Sequence, residues 1–436
     1  MKINSFKFFK ILLKVPLWFI NRISGFIRRY RTDVNFIVFP AFEDSEKLID
    51  HLYRLTWYLP VRTGKIKIYY SGFQLRLSDF TSKTERPWYL HALPLNLDKI
   101  CFVYSFISNK KTILKALLGY EIIIWREPSK IPFWLRCFFK LDNVHLVDHQ
   151  NKSYQSDINF VKLVSRALPI EKIHKAVNLS KKIFENESKK IIGKYKNSFI
   201  FGRGPSLGSA YNYNFSDGVR IACNQMIRDT KLMAHISPHF FAACDHAYHF
   251  GPSKLAEAFR FDILNYLKNN DCLFVTPLEC YLLMICHYPE IEHKLIAIPY
   301  GGSSFNFNLI NNFITKPSVG VLQEILFPLA ATFAKNVYLL GFDGNPPSSE
   351  PDRIWNYSNI AEYSHDITKT IHASRPNYYS KDKRSDFYNL YENESRTMIS
   401  EAGLLDIKIF TLAKSYHSFF LGKLAKTSEV TFVKKD

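Results

Sequence analysis

Cysteine is scarce and unpatterned. The seven residues Cys101, Cys137, Cys223, Cys244, Cys272, Cys280 and Cys286 form no C-x-x-C pair, are odd in number and sit mostly inside apolar runs. That argues against a disulfide framework and reads as buried thiols of a reducing cytoplasm. Cys280, Cys286 and His287 lie in an apolar helical pattern without a second ligand pair, so no metal is expected there. Several other signals are missing. There is no Walker loop, no G-x-G-x-x-G fingerprint and no Asp-x-Asp motif, and no helix-turn-helix, zinc-finger or RNA-recognition signature appears. No repeat or long low-complexity span is present.

What is present is ample for buried cores. The chain of 436 residues is 47% hydrophobic and 16% aromatic, which suits two globular domains with a terminal extension. The formal net charge of +19 calls for a partner. Residues 1–31 carry Lys2, Lys7, Lys10, Lys14, Arg22, Arg28, Arg29 and Arg31 among phenylalanine, leucine, isoleucine and Trp18. This composition predicts an amphipathic helix on an anionic membrane surface. Lys14 and Pro16 interrupt the apolar run, so it is not expected to span, and no small-residue cleavage site follows it. Basic residues elsewhere are scattered, so no nucleic-acid partner is expected.

Apolar strand patterns alternate with helical ones. Strands are expected at Asn35–Phe39, Lys65–Tyr70, Ile100–Tyr104 and Tyr120–Trp125, with helices over Glu43–Leu59 and Lys110–Leu118. The reading is an α/β protein with two Rossmann-like parallel-sheet domains, at 32–165 and 195–425, joined by a lysine-rich helical linker at 166–194. In the second domain, Phe199-Ile200-Phe201 runs into Gly202-Arg203-Gly204-Pro205-Ser206, the kind of strand-to-helix turn that presents backbone amides to a phosphate. Three more expected strands end in polar groups: at Asn224-Gln225, at Asp245-His246 and at Gly341-Phe342-Asp343. In a parallel sheet such ends line one crevice. The segment Gly344–Arg384 shows no strong period and reads as a long functional loop.

Gly202–Leu207, Cys223-Asn224-Gln225 and Lys316-Pro317-Ser318-Val319-Gly320-Val321, followed by a helix into Val337–Asp343, together resemble the bacterial sialyltransferases of glycosyltransferase family 42, over about residues 195–415. The resemblance implies a variant of the GT-A/GT-B-like folds with a sialyltransferase-like C-terminal domain. It also implies transfer of an acidic sugar, sialic acid or a Kdo-like one, from a CMP-sugar donor. The family's glycine turn reads Gly-Asn-Gly; here Arg203 stands in place of the asparagine, and a guanidinium can pair with phosphate. The family's two tyrosines after its Gly-x-Asp strand are absent, with Gly344-Asn345-Pro346-Pro347 in their place and Trp355, Tyr357 or Tyr378-Tyr379 as candidates to substitute.

By the same resemblance, His372 is the expected catalytic base and His365 the second candidate. Gly202, Arg203, Gly204, Pro205, Ser206, Asn224, Asp245, Lys316, Ser318 and Asp343 are the expected nucleotide-binding set. No cofactor is expected beyond the CMP-sugar substrate, and Mg²⁺ bridging phosphates to a single carboxylate stays open. The expected acceptor is a polysaccharide, glycan or glycolipid, and the expected location is peripheral to the inner face of the cell membrane. The rival readings are a nucleotide-phosphate enzyme of the pyrophosphokinase-like type and a non-catalytic polysaccharide-assembly factor.

Overall fold

The computed structural model describes residues 34–60, 64–75, 99–105, 109–125, 141–147, 155–346, 362–374 and 381–426, with 21, 22 and 26. The amphipathic helix expected in residues 1–31 therefore lies outside the described residues except for 21, 22 and 26. Among the described residues, no helix is long and apolar enough to cross a membrane. The chain divides into two compact units, with the break between Pro169 and Ile170. Both are α/β units built on parallel sheets, as the alternation of patterns predicts.

In the first unit, β1 (Phe36–Phe42), β2 (Ile66–Tyr70), β3 (Ile100–Tyr104), β4 (Glu121–Ile124) and β5 (Val144–Leu146) form a sheet of order β3-β2-β1-β4-β5. The central strands are apolar runs because both faces of a parallel sheet are covered. Helix α1 (Ser45–Tyr58) starts where the Asp44 carboxylate accepts the amide of Glu46 at 2.8 Å, and α2 (Asn109–Leu117) and α3 (Gln155–Ala167) follow. Strand β5 has no sequence signature: it is three residues long, and its middle residue is His145. That ring is buried because its Nε2 meets the buried Glu121 carboxylate at 2.6 Å.

The second unit opens with α4 (Ile170–Ile191), whose buried positions Ala176, Ser180, Phe184, Ser188 and Ile191 form one stripe at helical spacing. Small residues let the helix lie close to the sheet, and Ser180 Oγ accepts the Ala297 amide at 3.0 Å. Seven parallel strands follow in the order β10-β9-β8-β7-β6-β11-β12. They are β6 (Asn197–Phe201), β7 (Gly218–Cys223), β8 (Phe240–Ala242), β9 (Leu273–Pro277), β10 (Leu295–Ile298), β11 (Asn336–Leu340) and β12 (Lys408–Thr411). The flanking helices are α5 (Thr230–Ile236), α6 (Lys254–Asn269), α7 (Leu278–His287), α8 (Phe327–Phe333), α9 (His365–Ser374) and α10 (Lys381–Gly403).

Two expectations are revised. The helix expected between Lys316–Val321 and Val337–Asp343 contains a π-turn at Leu322–Leu326 before α8, and the long loop expected over Gly344–Arg384 contains α9 and the start of α10.

Candidate functional site

The strand order reverses at β6: β7 to β10 lie on one side and β11 and β12 on the other. This is the switch point at which α/β sheets open a crevice. Phe201 pairs with Leu340, so Gly202 and Gly341 leave the sheet side by side. There the two turns close on each other. The Gly202 amide donates to Leu340 O and the Gly204 amide to Gly341 O, each at 2.7 Å. A Cβ on Gly202 would lie 2.5 Å from Gly341 O, and one on Gly341, at φ +80°, 2.2 Å from Gly202 O. Glycine is demanded here by backbone approach.

Asp343 completes the closure. Its carboxylate accepts the Ser206 hydroxyl at 2.9 Å and the Ser206 amide at 3.2 Å, while Ser206 Oγ accepts the Gly341 amide at 3.0 Å. Burial pushes the Asp343 carboxyl up, and the Ser206 bonds oppose that rise. A Cβ on Gly204 would sit 1.9 Å from Asp343 Oδ2. Pro205 then opens a 3-10 helix, Pro205–Asn212. The backbone donors of Gly202, Gly204 and Ser206 are thus committed within the protein. These bonds lock two strand ends together.

The neighbouring strand ends carry less settled polarity. Asn224, the first residue after β7, adopts φ +55°, a left-handed conformation that costs a non-glycine residue of the order of 1 kcal/mol. Its Oδ1 is buried and, among the described residues, has no hydrogen-bond partner. An orphaned acceptor at a strained strand end marks a place built for something other than stability. The half-buried Arg203 guanidinium acts electrostatically on the Cys223 thiol, the His249 ring and the Tyr363 phenol. His249 is held neutral, its pKa lowered to about 3 by burial first, then by Arg203 and His246. Burial pushes Cys223 up to about 12, which makes it an inert thiol.

Farther along the edge, Asp245 Oδ1 accepts the amides of Ala247 and Tyr248 at 3.0 and 2.8 Å, fixing its own turn. Lys316 Nζ lies 3.4 Å from Glu394 Oε1 and 4.3 Å above the Phe305 ring, and the Ser318 hydroxyl donates to Glu394 Oε2. These candidates from the sequence are brought together on α10, through Glu394. Beside them stands Glu324, which sequence reasoning missed. It is buried on the π-turn, and its carboxyl accepts the Tyr300 hydroxyl at 2.6 Å and the Ser318 amide at 3.4 Å. Burial raises its pKa to about 8, with Glu279 and Asp245 adding to the rise. The signal was present: Gln323-Glu324 interrupts the apolar run Val319–Pro328.

His365 opens α9 and is exposed, and position 372 lies seven residues on, about two turns along the same helix. The start of α9 is tied down. Arg228 donates to Glu362 O and stacks 4.6 Å from the Tyr363 ring, whose hydroxyl donates to Asp262 on α6 at 2.7 Å. Thr370 Oγ1 accepts the Leu255 amide at 3.3 Å. Trp355, Tyr357, Tyr378 and Tyr379 lie outside the described residues. Among the described residues, no group of three or more His, Cys, Asp or Glu side chains could hold a metal ion.

No known protein family and no curated protein matches the chain. Among solved structures, the chain is similar to the sialyltransferase CST-II in complex with trisaccharide acceptor and CMP, at 16% identity over 55% of this chain and 91% of that one, with a TM-score of 0.32.

Proposed function

We propose that the second unit is a glycosyltransferase that moves an acidic sugar from a CMP donor to a glycan or glycolipid acceptor. Asn224 carries the reading. Its buried Oδ1, unpartnered among the described residues, is an acceptor for which an amino group or hydroxyl of the nucleotide is the proposed donor. Arg203, on the adjacent strand end, is the side chain for the phosphate.

His372 on α9 is the proposed base. The acceptor oxygen attacks the anomeric carbon as the bond from that carbon to the phosphate oxygen breaks. CMP leaves with the bonding electron pair, His372 takes the hydroxyl proton, and the anomeric configuration inverts. The basic segment 1–31 would hold the enzyme at an anionic membrane surface, where lipid-linked acceptors are found.

Calorimetric titration with CMP, CDP, UDP and ATP tests the proposal. Selective CMP binding, weakened about tenfold to a hundredfold in Arg203→Ala, is expected from loss of one charged hydrogen bond. Turnover of CMP-sugars lost in His372→Ala with CMP affinity kept would assign the base. Binding of ATP or UDP in place of CMP would overturn the reading.

A further inference from the structure

Helix α9 carries position 372, so whatever seats that helix also places the proposed base. One tie comes from the end of β7. Asn224 opens a 3-10 turn, Asn224–Arg228, and the last residue of that turn reaches the approach to α9. There the Arg228 guanidinium donates to Glu362 O and lies 4.6 Å from the centre of the Tyr363 ring. A second tie comes from α6. The Tyr363 hydroxyl donates to Asp262 Oδ2 at 2.7 Å, and farther along α9 Thr370 Oγ1 accepts the Leu255 amide at 3.3 Å.

Helix α6 is itself fastened to the carboxyl edge. The buried Arg260 donates from Nη1 to His249 O at 3.2 Å and to Gly251 O at 2.7 Å, in the loop after β8. Ser253 caps the helix by accepting the Ala256 amide at 3.2 Å, and the Leu255 amide, in the first turn and so without an intrahelical acceptor, bonds across to α9. Tyr363 is where the two ties meet. It is buried, with a cation against its ring and a carboxylate at its hydroxyl. Burial and then Asp262 push the phenol up, so it stays a donor, while Arg228 and Arg203 act against that rise. Arg203 leaves the end of β6, so the ends of both β6 and β7 bear on this one ring.

We infer that Tyr363 is a positioning residue: by bonding Asp262 of α6 and holding Arg228 of the Asn224 turn against its ring, it seats α9, and with it position 372, on the carboxyl edge beside the end of β7. The assignment of a base to position 372 rests on the proposed CMP-sugar reading; the seating of α9 does not.

Wild type is compared with Tyr363→Phe, which keeps the ring beside Arg228 and removes only the hydroxyl, and with Asp262→Asn, which keeps an acceptor for that hydroxyl. Ser180→Ala, which removes the buried bond to the Ala297 amide on α4, is the control for lost stability alone. Hydrogen exchange at the Leu255 amide reports the seating of α9, because its acceptor is Thr370. It should accelerate about tenfold in Tyr363→Phe, as one lost bond to a charged group requires, by less than about threefold in Asp262→Asn, and not in Ser180→Ala. CMP release from CMP-sialic acid or CMP-Kdo should show kcat lowered about tenfold in Tyr363→Phe with KM within about twofold, and kcat recovered to within about threefold in Asp262→Asn. Leu255 exchange unchanged in Tyr363→Phe, or accelerated no more than in Ser180→Ala, would overturn the inference. So would faster Leu255 exchange with kcat intact. The predicted exchange pattern with neither CMP binding nor turnover in wild type would uphold the seating role of Tyr363 and remove the CMP-sugar reading instead.

Discussion

The carboxyl edge of the second sheet has two dissimilar stretches. At the ends of β6 and β11, glycines let two backbones touch, and Asp343 and Ser206 satisfy the donors around them. At the end of β7, Asn224 keeps a left-handed backbone and, among the described residues, an unpartnered oxygen, and on the π-turn that meets the loop after β10, Glu324 keeps a buried carboxyl near other acids. In the first stretch the amides of Gly202, Gly204 and Ser206 bond within the protein and join two strand ends. The second announces Asn224 in the sequence but not Glu324, and holds the open acceptor of Asn224. Where hydrogen bonds close, a motif reports packing; where they stay open, it reports a site.

Breaking the closed stretch should give the largest effect. Gly341→Ala puts a Cβ against Gly202 O at φ +80° and should cost about 3 kcal/mol or more in urea unfolding. The open stretch should respond in the opposite sense. Asn224→Gly relieves the left-handed strain and should stabilise the protein by roughly 0.5–1 kcal/mol while weakening CMP binding at least about tenfold. A variant that becomes both more stable and less competent would separate site from scaffold.

Protonation sharpens the same contrast. His51, His239 and His417 have pKa values lowered to about 4 and His249 to about 3, chiefly by burial. The unfolded chain therefore binds more protons than the folded one from about pH 6.5 down to these values, and stability should fall as pH drops through that window. Glu324 acts with the other sign. Its folded pKa of about 8 exceeds the ordinary 4.5, so the folded state holds an extra proton between those values and loses stability as pH rises toward 8. Unfolding free energies across about pH 5 to pH 8 should show Glu324→Gln gaining on wild type by up to about 1.4 kcal/mol per pH unit. A constant difference would mean that Glu324 is ionised throughout.

Much of the fold was legible because parallel strands buried on both faces are written as apolar runs. Phe199–Phe201, Val219–Cys223 and Val337–Leu340 announce β6, β7 and β11 without tertiary help. Strand β5 was not legible, since His145 lies in it only through the Glu121 partner that its own sequence does not mention. The site was half legible. Asn224 and Arg203 stood out as polar residues at strand ends, but whether a turn's amides are free depends on what arrives from far along the chain, and Asp343 reaches Ser206 across 137 residues. Lys316 and Ser318 read as free donors until Glu394, on a helix 76 residues beyond Ser318, is seen to accept from the serine and pair with the lysine.

The central claim is that the open stretch, through Asn224, receives the nucleotide. The most direct test is calorimetry of CMP binding to wild type and to Asn224→Gly, each first shown to unfold cooperatively. Measurable CMP binding in wild type and its loss in a variant of equal or greater stability is the predicted result. Equal CMP affinity in the two proteins would contradict the account and move the nucleotide away from the end of β7.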